Sequence, residues 1–154
     1  MQICFYDARI TSDNTTIMVQ EKSMDYEAGK LDNPEKIAKM MQTLLHMDAF
    51  AEEHCYMIAL NTSCQILGVF FISKGTVNSS LVSPREIFIR ALLSGAVCIV
   101  LCHNHPSKDT TPSRSDISMT KRIKEAGELM NISLCDHIII GGNSYFSFKE
   151  AELL

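Results

Sequence analysis

The sequence predicts an α/β (α+β) fold, a central mixed β-sheet flanked by helices, and three features carry that expectation. Strand-like segments and segments of helical periodicity alternate without the regular βαβ repeat of a doubly wound protein. Two helical segments open on an N-cap residue followed by proline, Asn33-Pro34 and Ser83-Pro84. The run "AVCIVLC" is continuously apolar, as a strand buried on both faces must be. With 154 residues, the chain has the length of one domain and can bury roughly 68–70% of its unfolded surface. A single domain over 1–154 is therefore expected.

Taken in order, "QICFYDARI" and "TTIMVQ" read as short strands joined by the turn-prone "TSDN". "NPEKIAKMMQTLLHM" reads as a helix capped by Asn33, with Ile37, Met40, Met41, Leu44 and Leu45 at helical spacing. "EEHCYMIALN" and "CQILGVFFISKGT" form a hairpin around "NTS", and Gly75 lets the chain leave its second strand. "SPREIFIRALLSG" is a helix with Ser83 as N-cap, Glu86 three residues later as a capping-box partner, and Gly95 closing the end. "AVCIVLC" then delivers the chain into "HNH". "SRSDISMTKRIKEAGELMN" is an amphipathic helix, with Ile117, Met119, Ile123, Ala126 and Met130 on the expected buried side and Arg114, Lys121, Arg122 and Lys124 available to the other. "SLCDHIIIGGNSYFSF" supplies two last strands around "GGNS".

Composition narrows the function classes. A net charge of −4 provides no global basic field for nucleic acid, although a local basic face remains open. Cysteines 4, 55, 64, 98, 102 and 135 form no CxxC pair and lack the density of a secreted scaffold, so they are expected to be reduced and mostly buried. No apolar run approaches the roughly 20 residues that span a bilayer, and the N-terminus lacks a signal-peptide core. A cytoplasmic protein is expected, without a membrane partner.

The chemistry concentrates in "CHNHPSKDTTPSRSD". Residues i and i+2 of an extended segment point to one side, so His103 and His105 at a strand end can present two imidazoles to one point. Asp116, one turn into the following helix, can supply a carboxylate. Two histidines and one carboxylate leave a tetrahedral Zn²⁺ with one vertex for water, the pattern of a catalytic zinc site. A general base would serve such a site, and Glu53 and Glu86 are the candidates, with Glu52 a rival to Glu53 by one position because strand register is open. The blander alternative is that Ser113 and Asp116 form a capping box and the histidines are ordinary. Glu86 is accounted for by its own capping box. The string "HNH" does not denote an HNH nuclease, and the PCxxC of a zinc nucleobase deaminase is missing.

"SPREIFIRALLSGAVCIVLCHNHPS…TPSRSD" followed by "CDHIIIGGNSYFSF" resembles the RadC family, a branch of the JAB/MPN+ (JAMM) metalloprotease-like proteins. The resemblance covers about 34–154, with 1–33 as an N-terminal extension that has no functional reading. It implies a JAB fold, zinc held by His103, His105 and Asp116, Glu53 as acid/base, and Ser113 as stabiliser of the oxyanion or the water. It favours Glu53 over Glu52 because "EEHCYMIALN" looks like the family's Glu-His-Phe strand. Asp136-His137 also fits the family pattern; His137 is expected to be a satisfied core histidine, and Asp136 to hold a ligand imidazole from behind. Two departures stand out. Lys108 occupies the family's usual glycine, and the chain lacks room for the helix-hairpin-helix region of full-length RadC proteins. The leading expectation is a zinc metallohydrolase acting on an amide or isopeptide bond of a peptide or protein. The rivals are a DNA-repair or mobile-element accessory module that binds DNA, with Arg114, Lys121, Arg122 and Lys124 as its thin support, and a metal-dependent nuclease.

Overall fold

A computed structural model describes residues 1–27, 31–75 and 82–154. Seven strands form one mixed sheet in the order β2-β1-β4-β3-β5-β6-β7. The strands are β1 (Gln2–Ile10), β2 (Thr16–Asp25), β3 (Glu53–Leu60), β4 (Ile66–Gly75), β5 (Cys98–Asn104), β6 (Ser133–Gly141) and β7 (Ser144–Ser147). The helices are α1 (Pro34–Leu45), α2 (Pro84–Leu93) and α3 (Arg114–Met130). The expected mixed sheet with flanking helices is therefore the fold.

Local chemistry places each element. Asn33 caps α1 by accepting from Lys36 N at 2.9 Å, and Pro34 takes the first helical position, where no N–H is needed. Ser83 caps α2 through Arg85 N. The expected capping box at α2 is absent, because the Glu86 carboxylate turns to Arg85 at 3.0 Å and Arg90 at 3.3 Å. Gly95 follows α2 at φ +69°, the left-handed residue that ends a helix.

All seven residues of β5 are buried, and β5 pairs antiparallel with β3 and parallel with β6. One face of the sheet packs under α1, with Ile58, Val69, Val100, Ile138, Met40 and Met41 in a common core. The other packs under α2 and α3, with Met57, Phe70, Leu101, Ile87, Phe88 and Ile123. Each of these large side chains contributes about 1.5–3 kcal/mol by leaving water.

The buried stripe of α3 is Asp116, Thr120, Ile123 and Gly127; of the apolar set expected from hydropathy, Ile123 is buried and Met119 and Ala126 pack half-buried on the core. Ile117 and Met130 are exposed, at 45% and 42%. Gly127 is required here, since a Cβ would meet the Ile132 carbonyl and the Phe88 ring. Two polar side chains on a buried face need partners, and those partners are the site.

Candidate metal centre

The centre lies where β5 ends. His103 is its penultimate residue and pairs with Cys55 of β3, and His105 leaves the sheet while its N–H donates to Ile140 O of β6 at 2.8 Å. Alternation along the strand turns both rings to the α3 face. Ser113 caps α3 and puts Asp116 at its third position. His103 Nε2 and His105 Nε2 stand 3.0 Å apart. Asp116 Oδ1 lies 3.3 Å from the first and Oδ2 3.4 Å from the second. The three residues form a group able to hold a metal ion, with ligand atoms within 4.8 Å of one another.

Asp116 does two jobs at once. It completes a capping box, with Oδ2 accepting from Ser113 N at 2.7 Å and Ser113 Oγ at 2.6 Å, while Ser113 Oγ accepts from Asp116 N. It also faces both imidazoles, so the plain-cap reading accounts for only some of its contacts. Burial alone would push the Asp116 carboxyl up. The two imidazoles it faces and the hydrogen bonds from Ser113 outweigh burial and hold it far below the ordinary 3.8.

The donor set suits a cation. A carbonyl only accepts, so His105 carries hydrogen on Nδ1, donated to Asp109 O at 2.7 Å, and presents a lone pair at Nε2. Two ring nitrogens at 3.0 Å need either a hydrogen or a cation between them. A proton meets that need in part, since Asp116, ahead of the opposing effect of burial, raises the His105 pKa above 6.5. A divalent metal meets it with both imidazoles neutral.

The two shifts define how the metal-free protein responds to pH. His105 has a raised folded pKa, so its contribution is complete below 6.5 and disappears as pH climbs through the raised value. Asp116 has a lowered folded pKa, so its contribution is complete above 3.8 and disappears as pH falls through the lowered value. Thermal melts of chelator-treated protein are expected to lose stability as pH rises above 6.5, before the buried thiols titrate, and Asp116→Asn is expected to reduce that slope. An unchanged slope in Asp116→Asn contradicts the pairing.

Glu53 and Glu52 part ways at the head of β3. Glu53 is half-buried and lies two residues before Cys55, on the face that carries His103, and its charge contributes to the raised His105 pKa. Glu52 is exposed and pairs with Lys74 at 2.5 Å. Glu86 sits on α2 with its two arginines. Ser113 is exposed at the start of α3.

The structure corrects the expectation for Asp136. Asp136 does not hold a ligand imidazole. Its carboxylate accepts from His137 N, Ser147 Oγ and Lys149 N at 2.7, 2.6 and 3.0 Å, and so fastens the C-terminal turn. His137 is the residue behind the ligand, with Nε2 2.8 Å from His103 Nδ1. It is fully buried and stacked on Phe148 at 4.8 Å, and burial first, then the His103 charge, pushes its pKa well below 6.5. Thr120 carries no mark in the sequence pattern, although its hydroxyl lies 2.6 Å from His137 Nδ1.

Asn104, the middle residue of His-Asn-His, is the other residue that sequence reasoning missed. Its Oδ1 accepts from His54 N at 2.8 Å and its Nδ2 donates to Glu52 O at 3.1 Å, so one buried amide grips the backbone on both sides of Glu53. An asparagine between two histidines on a buried strand is the signal that could have found it.

The loop after His105 is locked from below. Lys108 adopts φ +66°, a left-handed turn taken despite its side chain. A Cβ on Gly141 would stand 2.6 Å from Lys108 O and 2.8 Å from Thr110 Cγ2. Gly141→Ala is therefore expected to push the loop off β6, lowering the melting temperature and weakening metal uptake together. Wild-type values for both would show that the loop does not rest on this glycine.

Comparison with known proteins follows the same residues. A family model described as the RadC-like JAB domain matches residues 31–153. A UPF0758 protein of Clostridium acetobutylicum is 42% identical over 129 residues, 84% of this chain and 56% of the relative. One of Clostridium perfringens is 46% identical over 125 residues, 81% and 54% respectively. One of Clostridium tetani is 44% identical over 124 residues, 80% and 54%. The chain spans just over half the length of these curated relatives, and β1 and β2 precede the residues matched by the family.

Proposed function

Because the chain belongs to the RadC family of JAB domains, we propose that it is a JAMM-type zinc hydrolase of amide or isopeptide bonds. One observation carries this reading: His103, His105 and Asp116 converge on a point, and Glu53 stands on the same face of the sheet. Closed structural zinc sites use four protein ligands, and among the described residues this group has three. When bound there, zinc supplies a Lewis acid that polarises a carbonyl and lowers the pKa of a bound water from about 15.7 to about 7.

The chain's own residues supply the rest. Glu53 takes the proton of the attacking water and returns it to the leaving nitrogen, which a carboxylate can do only if it is held in place. Asn104 holds its backbone. Ser113 has two tasks. Its N–H anchors Asp116 Oδ2, so its hydroxyl can turn towards a substrate oxygen without leaving that carboxylate oxygen without a donor.

The test is a screen of peptide, isopeptide and nucleic-acid substrates with zinc-loaded and chelator-stripped protein. Amide hydrolysis that disappears on stripping and returns with zinc is the expected result. Cleavage confined to nucleic acid, or none with a loaded site, contradicts the proposal. On α3, Arg114, Lys121 and Arg122 are interspersed with Glu125 and Glu128, and Lys121 lies 3.9 Å from Glu125. DNA binding is thus an outcome to measure by its salt dependence.

A further inference from the structure

We propose that Thr120 and His137 are positioning residues that decide which nitrogen of His103 carries the ring hydrogen, leaving a lone pair at the metal point. The inference rests on the metal reading above, and it concerns side chains to which that reading gives no role. Four groups form a closed circuit: His103 Nδ1 to His137 Nε2 at 2.8 Å, His137 Nδ1 to Thr120 Oγ1 at 2.6 Å, Thr120 Oγ1 to Asp116 O at 2.6 Å, and Asp116 Oδ1 back to His103 Nε2 at 3.3 Å. It joins β5, β6 and α3, so it ties together two ligands that come from different elements.

Hydrogen-bond capacity gives the circuit a direction. The Asp116 carbonyl only accepts, so the single hydroxyl hydrogen of Thr120 goes to it. Thr120 Oγ1 then has only lone pairs to offer His137, and Nδ1 must carry the ring's hydrogen. His137 Nε2 is left as an acceptor, so the hydrogen between the two rings belongs to His103 Nδ1. His103 Nε2 is thereby a lone pair aimed at His105 and Asp116. Reversing any link puts a hydrogen on His103 Nε2, where the metal must sit. All four groups are buried: Thr120 and Asp116 are 2% exposed, His103 4% and His137 0%. Water therefore cannot stand in for a missing hydroxyl without a cavity to hold it.

A satisfied core histidine would show the same burial, and the experiment separates the two roles. Histidine side-chain ¹⁵N spectra of metal-free protein at alkaline pH are expected to show both His103 and His137 with hydrogen on Nδ1. Thr120→Val, which keeps the shape and removes the hydroxyl, is expected to mix the two forms at His103 and to weaken zinc binding about 10–100-fold. Thr120→Ser is expected to restore both. The proposal is overturned if wild type shows hydrogen on Nε2 of either ring, or if Thr120→Val keeps the wild-type spectrum and zinc affinity. The wild-type spectrum is decisive even where Thr120→Val does not fold. Should wild type bind no zinc, the metal reading fails while the spectra still decide whether the circuit has this direction.

Discussion

Glu53→Gln is expected to keep a full complement of zinc and to lose hydrolysis by about 10²–10⁴-fold, the contribution of a positioned acid/base. The separation of the two effects follows from geometry. Glu53 is not among the three side chains whose ligand atoms converge, so removing its charge leaves the ligands and their circuit in place. Glutamine has nearly the same shape, so Asn104 still holds the strand through His54 N and Glu52 O. What glutamine cannot do is accept a proton and give it back. The control is Glu52→Gln, which breaks only an exposed ion pair with Lys74, worth about 0–1 kcal/mol. Equal losses in the two variants would remove Glu53 from its proposed role, as would loss of zinc in Glu53→Gln.

How far the sequence could be read depended on whether a residue's local pattern and its tertiary role agreed. They agree at β5, where continuous apolarity forecasts burial and the strand runs straight into His103 and His105. They agree at α1, where Asn33, Pro34 and the apolar periodicity all point to one helix. They conflict along α3. Its buried face carries Asp116 and Thr120 because it builds the site, so hydropathy alone rotates the helix and buries Ile117, which is exposed.

Asp136 and His137 show a second kind of limit. Which of two adjacent side chains stands behind a ligand depends on the parallel pairing of β5 with β6, where Leu101 is opposite His137 and Val100 opposite Asp136. That neighbour relation is set by the order of the sheet and has no mark in either segment. The same holds for Asn104, whose partner His54 on β3 lies 50 residues earlier in the chain. Apart from the family resemblance, Glu52 and Glu53 become separable once the register of β3 is known.

Asp116→Ala is expected to abolish metal binding at trace zinc. The variant removes the only anionic ligand of the group, the acceptor for Ser113 N, and the charge that both imidazoles face. Loss of the capping box alone costs about 1 kcal/mol, too little to unfold a domain with the roughly 5–15 kcal/mol of stability usual for its class. Asp116→Asn separates the two losses, since an amide oxygen can still accept from Ser113 N while the charge is gone. Both variants are expected to fold, and both to bind zinc at least about 100-fold more weakly, the cost of losing a ligand from a three-residue set being no less than that of losing a group behind one.

The direct measurement is zinc per chain by elemental analysis, for wild type and Asp116→Ala purified side by side and dialysed against the same trace zinc. The account predicts about one equivalent in wild type and essentially none in the variant. An equivalent of zinc retained by Asp116→Ala, or a folded wild type that takes up none, would contradict it.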